Sequence, residues 1–256
     1  MTLVESHAHG AVIELRLARA PVNALSPAMC DAIRRGLEDA IAAGAQGVVL
    51  AGGPKVFCAG LDVPHLLALG HDRAALLHAW TAFFEAARAF AACPVPVVAA
   101  MAGHAPAGGC VLALCCDYRV MASGAYRIGL NETQVGLVAP EGIQRLLRRV
   151  VGSHRAERLL VSGELIDAAT ALGFGLVDEL IDVSVEPAAV TQRAVAWLDA
   201  LLRLPREAML QTRAIARADL VEALEPRHIE LDRFIDAWQS PGTQAALHAL
   251  VARLGK

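Results

Sequence analysis

Two features of segment 104–140 could do chemistry together, a glycine turn and an isolated carboxylate. The turn Ala107-Gly108-Gly109 runs directly into an apolar helical segment, and glycines before a helix leave backbone N–H groups free to face a ligand oxygen. Glu132 follows among neutral neighbours, where one carboxylate near such donors can serve as an acid or a base. A polarised carbonyl and one proton-transfer group are enough to move a proton beside that carbonyl.

A second glycine turn, Ala59-Gly60-Leu61, ends another apolar run. Both turns lie at predicted strand–helix junctions, so together they could donate two N–H groups to one oxygen. The spacing alone leaves the alternative open, because a single turn of this kind is more often required for packing than for binding.

Other kinds of site have weaker support. The double glycines at 52–53 and 108–109 lack the Lys-Ser/Thr ending of a phosphate loop, and no G-x-G-x-x-G follows a predicted strand. The histidines of segment 65–78 do not share one helical face, so we expect no metal site there. Ser123 lacks the G-x-S-x-G context of a serine nucleophile.

Composition limits the class of protein. The chain has 256 residues, of which 55% are hydrophobic and 19% charged, so it can bury a sizeable core. A net charge of −3 without basic clusters gives no reason to expect nucleic acid as a partner. No apolar run reaches the ~18 residues that a membrane span needs, so we expect no membrane insertion. The six cysteines show no CxxC spacing, and with no secretory signal visible this predicts reduced thiols and a cytoplasmic location.

Apolar periodicity predicts an α/β core followed by helices. Strands are predicted at 11–17, 47–51, 97–101, 117–121 and 175–181. Helices are predicted at 27–43, 65–69, 72–92, 110–115, 141–150, 153–161, 167–172, 187–204, 205–218, 225–238 and 241–254, with Ser26, Asp72, Ser153 and Asp167 as caps. Because strands cease near 183–187, we predict a core at 1–185 and a helical C-terminal region at 186–256.

Four sequence runs carry a family resemblance. VFCAGLDVPHL, GHAPAGGCVLALCCDYRV and IGLNETQVGLVAP resemble the crotonase (enoyl-CoA hydratase/isomerase) superfamily, and PVNALS and the AGLD turn agree. Within that superfamily, these runs are most similar to the mitochondrial-type Δ3,Δ2-enoyl-CoA isomerases, whose catalytic carboxylate lies in GLNETQ. The resemblance covers roughly residues 10–255.

The resemblance implies a fold and a ligand. The fold is an α/β spiral of ββα units with a helical C-terminal region, which would serve for assembly into trimers or for covering the active site. The implied assembly is a homotrimer or a hexamer of paired trimers. The ligand is an acyl-CoA thioester, so coenzyme A belongs to the substrate, and no metal or other cofactor is expected. The backbone N–H groups of Leu61 and Gly108 form the implied oxyanion hole. The implied substrate-binding residues are Ala59, Gly60, Asp62, Val63, Val111 and Asn131.

Carboxylates decide which reaction the resemblance implies. Hydratases of this family use two glutamates, and Val111 stands at the first of these positions while Glu132 stands at the second. One carboxylate can still move a proton from C2 to C4 of a 3-enoyl thioester, which predicts an isomerase in unsaturated fatty acid β-oxidation. The apolar neighbours of Glu132 are expected to raise its basicity by desolvation.

Several alternatives stay open at this point. Glu141, at a predicted helix start, is a rival base or a second acid, and Glu132 itself could be an ordinary surface glutamate. The chain could also be a hydratase, another enolate-forming acyl-CoA enzyme, or an inactive acyl-CoA-binding scaffold.

Overall fold

The computed structural model describes residues 2–183, 186 and 188–254. Within these residues, six strands form one sheet in the order β1-β2-β3-β4-β6-β9, and three short strands form a second sheet in the order β5-β7-β8. The first sheet comprises β1 (Val4–His9), β2 (Val12–Leu17), β3 (Gly47–Ala51), β4 (Val97–Met101), β6 (Tyr118–Ala122) and β9 (Glu179–Ile181). The second comprises β5 (Ala105–Pro106), β7 (Arg127–Gly129) and β8 (Ile166–Asp167).

The first sheet is parallel except at its β1–β2 edge, which is an antiparallel pair. Strands β3 and β4 are apolar throughout and buried on both faces, as parallel strands covered on both sides usually are. Strand β1 was not predicted, because VESHAH is polar and shows no apolar alternation. The strand is mostly exposed, and hydrogen bonding to β2 holds it in the sheet.

The helices follow the apolar periodicity closely. Those of the core are α1 (Pro27–Ala42), α2 (Val63–Ala68), α3 (Arg73–Ala91), α4 (Gly108–Leu114), α5 (Glu141–Val151), α6 (Ser153–Ser162) and α7 (Ala168–Phe174), with a 3₁₀ turn at Glu132–Val135. Later helices are α8 (Ala189–Leu201), α9 (Arg206–Ala216), α10 (Ala218–Ala223), α11 (Pro226–Ile229), α12 (Leu231–Trp238) and α13 (Pro241–Leu254).

Helix ends confirm three of the four predicted caps. The side chains of Ser26, Asp72 and Asp167 each accept a hydrogen bond from the backbone N–H three residues later. The cap at Ser153 was wrong, since Ser153 is the first helical residue and Gly152 precedes it without a side-chain cap. The helix predicted over 225–238 breaks at Glu230, whose φ of +47° cannot continue a right-handed helix.

The C-terminal helices pack directly on the sheet. Val190, Ala194 and Leu198 of α8 are fully buried and belong to one cluster with residues of β2, β3, β4 and β6. Arg213 of α9 donates to both oxygens of Asp117, at 2.8 Å each, where β6 begins. The predicted boundary between 185 and 186, and Pro187 as a helix start, fall where residues 184, 185 and 187 lie outside the described part, so the boundary stays a prediction.

Two further expectations concern the chain as a whole. All six cysteines are buried free thiols. Among the helices of the described residues, none is both long enough and apolar enough to cross a membrane. The cytoplasmic location stays a prediction.

Candidate active site

A cavity of about 500 Å³ opens between the core and the last helices. Its wall is predominantly apolar and is built by the turn at 59–63, the start of α4, the 3₁₀ turn, and side chains from α3, α12 and α13. Helix α13 packs against both α2 and the 3₁₀ turn, so the end of the described chain covers the cavity.

The two glycine turns meet because of the sheet topology. Strands β3 and β4 are parallel neighbours, with Leu50 opposite Ala99 and Ala51 opposite Ala100. The segments leaving their carboxyl ends therefore run side by side, which is where open α/β sheets place their binding sites. The first segment leads to the turn at 59–61 and the second to the turn at 107–109.

Glycine at positions 60 and 108 accommodates the close approach of these turns. A Cβ atom on Gly60 would lie 3.0 Å from the backbone nitrogen of Gly108, and a Cβ on Gly108 would lie 3.2 Å from the Cα of Gly60. Gly60 has a φ of +86°, which favours glycine, and Ala107 takes a strained φ of +47° just before α4. Such strain in a turn that lines a cavity is typical of a functional site.

The backbone N–H groups of Leu61 and Gly108 are both available to a ligand. Leu25 binds the chain on either side of Leu61, since its N–H donates to the Gly60 carbonyl at 2.8 Å and its carbonyl accepts from the Asp62 N–H at 3.2 Å. Gly108 is the first residue of α4, so its N–H has no acceptor within the helix. Within the described chain neither N–H donates to a protein group, and both residues line the cavity.

Asn23 joins the N-terminal loop to residues 57 and 58, which lead into the turn at 59–61. Its side-chain amide donates to the Phe57 carbonyl at 3.0 Å and accepts from the Arg19 N–H at 2.9 Å. The Cys58 thiol donates to the Asn23 carbonyl at 3.2 Å. The sequence analysis assigned no role to Asn23 within PVNALS. The signal that could have identified this residue is its polar side chain inside an apolar run.

Glu132 opens the 3₁₀ turn and lines the same cavity. Its Oε2 atom is out of contact with solvent and has no hydrogen-bond partner in the described part of the chain. Burial raises the pKa of the Glu132 carboxyl to about 7, against a smaller lowering by its own backbone N–H. Leu130, Val135 and Leu137 are buried beside it, as the desolvation argument expects. A carboxyl group with this pKa can both take up and release a proton near neutral pH.

The other predicted substrate-binding residues lie around the cavity. The cavity lining includes four of them: Ala59, Val63, Val111 and Asn131. Gly60 is not part of that lining, but it packs closely against Gly108 and so holds the two turns together. Val111 is buried on α4 and cannot transfer a proton.

Asp62 also lines the cavity, but its carboxylate is engaged. It pairs with Arg19 at 2.6 Å, a residue that sequence reasoning missed, and it caps α2 by accepting from the His65 N–H at 3.1 Å. The pair holds the turn at 59–63 against the N-terminal loop. Asp62 is therefore a structural anchor of the cavity wall more than a free acid or base.

Glu141 lies outside the cavity lining, although Pro140 before it belongs to that lining. Its carboxylate is exposed, pairs with Arg145 at 2.8 Å and contacts the His228 ring at 3.1 Å. Hydrogen bonds from Arg145 first, and then from His228, lower the pKa of the Glu141 carboxyl. The structure therefore separates the two candidate bases, with Glu132 inside the cavity and Glu141 in a surface ion-pair network.

An aromatic cluster forms the part of the wall contributed by α3 and α12. Its members line the cavity and contact one another in edge-on and stacked pairs: Trp80, Phe83, Phe84, Phe234 and Trp238. Sequence reasoning did not identify this cluster. Within the described residues, no group of three or more His, Cys, Asp or Glu side chains is arranged to hold a metal ion.

Comparison with known proteins gives the family. The profile described as enoyl-CoA hydratase/isomerase matches residues 7–252. Human mitochondrial enoyl-CoA delta isomerase 1 is 31% identical over 98% of this chain and 83% of its own length. The Mycobacterium tuberculosis protein named "Probable enoyl-CoA hydratase EchA17" is 34% identical over 69% of this chain and 68% of its own.

Solved structures of similar proteins show the same family likeness. The crystal structure of human mitochondrial delta3-delta2-enoyl-CoA isomerase has a TM-score of 0.91 at 31% identity, covering 99% of this chain and 98% of that one. The enoyl-CoA hydratase of Bacillus halodurans has a TM-score of 0.86 at 18% identity, covering 96% and 99%, which shows likeness of fold. The predicted crotonase-type α/β fold with a helical C-terminal region is confirmed. The chain belongs to the enoyl-CoA hydratase/isomerase family.

Proposed function

We propose that this protein is an enoyl-CoA isomerase that shifts the double bond of a 3-enoyl-CoA to the 2-trans position. One observation carries the proposal. Among the described residues that line the cavity, Glu132 is the carboxylate without an ion-pair partner, and it shares that cavity with the free N–H groups of Leu61 and Gly108. Human relatives of this chain are named as isomerases.

The proposed reaction has two proton transfers through one residue. The thioester oxygen accepts hydrogen bonds from the Leu61 and Gly108 N–H groups, while the Glu132 carboxylate removes a proton from C2. The C2–H electron pair moves into a dienolate whose negative charge lies on that oxygen, where removal of one donor typically costs ~3 kcal/mol of transition-state stabilisation. Protonated Glu132 then returns the proton to C4, and the carbonyl re-forms with the double bond at C2.

A pKa of about 7 suits both transfers. At neutral pH a substantial fraction of the free enzyme holds the carboxylate that the first transfer needs, and the proton is not held too tightly for the second. The apolar wall around Glu132 excludes water and so limits loss to solvent of the proton that Glu132 holds while the dienolate exists. Coenzyme A is part of the proposed substrate, and we propose no further cofactor and no metal.

A hydratase is the second candidate, since some relatives are named as hydratases. Hydration needs one group to activate water and another to protonate C2, and Val111 offers neither. An inactive acyl-CoA-binding scaffold fits the unpaired Glu132 poorly, because a buried carboxylate without a partner lowers stability and a protein without catalysis has no use for it.

The direct test supplies the purified protein with 3-enoyl-CoAs of several chain lengths. Formation of 2-trans-enoyl-CoA, followed by the absorbance of the conjugated thioester, is expected for at least one length. Saturated acyl-CoAs of the same lengths should bind without reaction. If none of the 3-enoyl-CoAs is converted although the saturated thioesters bind, the isomerase proposal fails and the scaffold alternative gains support.

The pH dependence of kcat/KM should follow the ionisation of the Glu132 carboxyl group. Because catalysis begins with the carboxylate and its pKa in the free protein is about 7, kcat/KM should fall about tenfold per pH unit below 7 and level off above it. Initial rates from about pH 5 to about pH 9 measure the profile. A profile that stays level down to about pH 5 would contradict Glu132 as the base.

Protein stability should change with pH through the same group. The pKa of Glu132 is about 7 in the folded state and ordinarily 4.5, so the folded protein holds the extra proton between these values. The free energy of unfolding therefore falls as pH rises from 4.5 to 7 and stays low above that range. Glu132→Gln should gain roughly 1–3 kcal/mol over the wild type at about pH 8 and little at about pH 4.5. Thermal unfolding of both proteins at both pH values checks this, and an equal gain at both would contradict it.

We propose assembly into homotrimers or hexamers. Several large apolar side chains of the described chain are exposed, with Val161 at 75% and Ile215 at 80% exposed, on the outer faces of α6 and α9. Contact with another copy would cover such positions. Light scattering at micromolar concentration should give three or six times the chain mass of 26.9 kDa, and a monomer mass would contradict the proposal.

A further inference from the structure

Asn23 is a buried polar residue beside the cavity that takes no direct part in the proposed reaction. It is 5% exposed and does not belong to the cavity lining, although Val22 and Ala24 on either side of it do. Its backbone φ of +53° lies in the left-handed region, which asparagine adopts more readily than most residues. The residue type thus suits the backbone, and the side-chain amide is left to contact the protein.

The Asn23 amide holds a residue that leads into the first glycine turn. Its Nδ2 atom donates to the Phe57 carbonyl at 3.0 Å, while its Oδ1 atom accepts from the Arg19 N–H at 2.9 Å. Phe57 is fully buried, so its carbonyl depends on a donor from the protein. Removal of the amide would leave that carbonyl without this partner.

Phe57 is bound from its other side by the chain that leads to the second turn. Its N–H donates to the His104 carbonyl at 2.9 Å. From Phe57 the chain continues to Leu61, and from His104 it continues to Gly108. Phe57 therefore connects the two segments that carry the free N–H groups, and the Asn23 amide fixes it in place.

Backbone hydrogen bonds of the same loop continue along the first turn. The Val22 carbonyl accepts from the Ala59 N–H at 3.0 Å, and Leu25 binds the chain on both sides of Leu61. Asn23 lies between these two partners, so its side chain helps to fix the register of the loop against the turn.

The position of the two N–H groups matters more for the reaction than for binding. Their largest contribution is to the negative charge that develops on the thioester oxygen, and it depends on donors already aimed at that oxygen. A displacement of about 1 Å in such a site can lower the rate about 10²-fold. Since Asn23 touches no reacting atom, its effect on the rate has to pass through the turn that it holds.

We propose that Asn23 is a positioning residue, whose side-chain amide sets the spacing between the N–H groups of Leu61 and Gly108. The proposal rests on the proposed function for the identity of the bound carbonyl as that of an acyl-CoA thioester. Asn23 then acts on the rate and on the polarisation of the carbonyl more than on affinity.

Asn23→Gly removes the amide without straining the backbone. Glycine adopts a φ of +53° freely, so the variant loses the bonds to Phe57 and Arg19 and keeps the local conformation accessible. Its kcat for a 3-enoyl-CoA should fall about 10–10²-fold, while the Kd of the saturated acyl-CoA should change less than about fivefold. Single-turnover rates and calorimetry measure the two quantities, and thermal unfolding shows that the variant is folded in the assay.

Infrared spectroscopy follows the polarisation of the carbonyl without turnover. The probe is a saturated acyl-CoA with a carbon-13 label on the thioester carbon. A carbonyl that accepts hydrogen bonds stretches at a lower frequency, so binding to the wild type should lower the frequency of the labelled band. In Asn23→Gly this shift should be about half as large or smaller, because the two donors are no longer held in position together.

Ser26→Ala is the matched control from the same loop. The Ser26 hydroxyl accepts from the Met29 N–H as the cap of α1, and it bonds to no residue of the first turn. Its loss should lower the temperature of unfolding but leave kcat and the shift of the labelled band within about twofold of the wild type. If Asn23→Gly does not fold, Asn23→Asp replaces it, because an ionised aspartate suits the same φ and keeps the acceptor but lacks the donor to Phe57.

The outcomes separate this proposal from the isomerase proposal. Wild-type kcat and an unchanged band shift in a folded Asn23→Gly protein would overturn the positioning role and leave the isomerase proposal standing. Equal losses of kcat in Asn23→Gly and Ser26→Ala would overturn it too, because destabilisation of the loop would then explain both. A band shift that is lost in Asn23→Gly, in a protein whose wild type isomerises nothing, would support the positioning role and reject the isomerase.

Discussion

Glu132→Gln should lower turnover of a 3-enoyl-CoA by about 10²–10⁴, the usual effect of removing a general acid or base. Gln has nearly the same shape as Glu but cannot take up the proton from C2. Since Glu132 lies at the cavity wall and its Oε2 atom has no protein partner, the substitution breaks no ion pair of the fold. The affinity for a saturated acyl-CoA should therefore stay within a few fold, and single-turnover rates together with binding isotherms measure the two quantities separately.

Glu141→Gln is the matched control for this prediction. Glu141 pairs with Arg145 and His228 on the surface, so its loss should cost little stability and change kcat by less than about threefold. An active Glu132→Gln protein and an inactive Glu141→Gln protein would show that the wrong carboxylate was named. The loop after Pro140 would then have to turn Glu141 into the cavity when substrate binds.

Local patterns in the sequence predict the parts of the site that are formed locally. Glycine before a helix, an isolated Glu132 and its apolar neighbours all act within a few residues, and the structure places them around one cavity. The meeting of the two turns is not local, because it depends on the parallel pairing of β3 and β4, which brings the segments after these strands together. The sequence does not show which N–H groups stay free, since that depends on Leu25 binding on both sides of Leu61.

Other parts of the site that sequence reasoning missed depend on contacts distant in the chain. Trp80 and Trp238 each read as an ordinary core residue on an amphipathic helix, and only the packing of α3 on α12 makes them one wall of the cavity. The Arg19–Asp62 pair likewise joins two loops whose spacing in the sequence carries no signal. Glu141 shows the converse case, because its position at a helix start was predicted but its partner His228 was not.

Hydration of a 2-enoyl-CoA should be at least about 10²-fold slower than isomerisation of the 3-enoyl-CoA of equal length. Addition of water requires one group to position and deprotonate the water while a second proton reaches C2. Val111 stands at the position where the family resemblance implies the first glutamate of a hydratase. It is buried on α4 and lines the cavity, so it contributes an apolar side chain there and no acid. Isomerisation uses no water, so the dry wall does not slow it.

The measurement follows the conjugated thioester absorbance in both directions, as loss with 2-enoyl-CoA and as gain with 3-enoyl-CoA. Val111→Glu should raise the ratio of hydration to isomerisation, because it restores a second acid beside Glu132, while the repulsion between two buried carboxylates keeps one of them protonated. Val111→Gln matches the size and polarity of that variant but transfers no proton, so it should leave the ratio low. Hydration by the wild type at a rate equal to that of isomerisation would contradict the isomerase proposal. Glu141 would then be the candidate for the second catalytic acid.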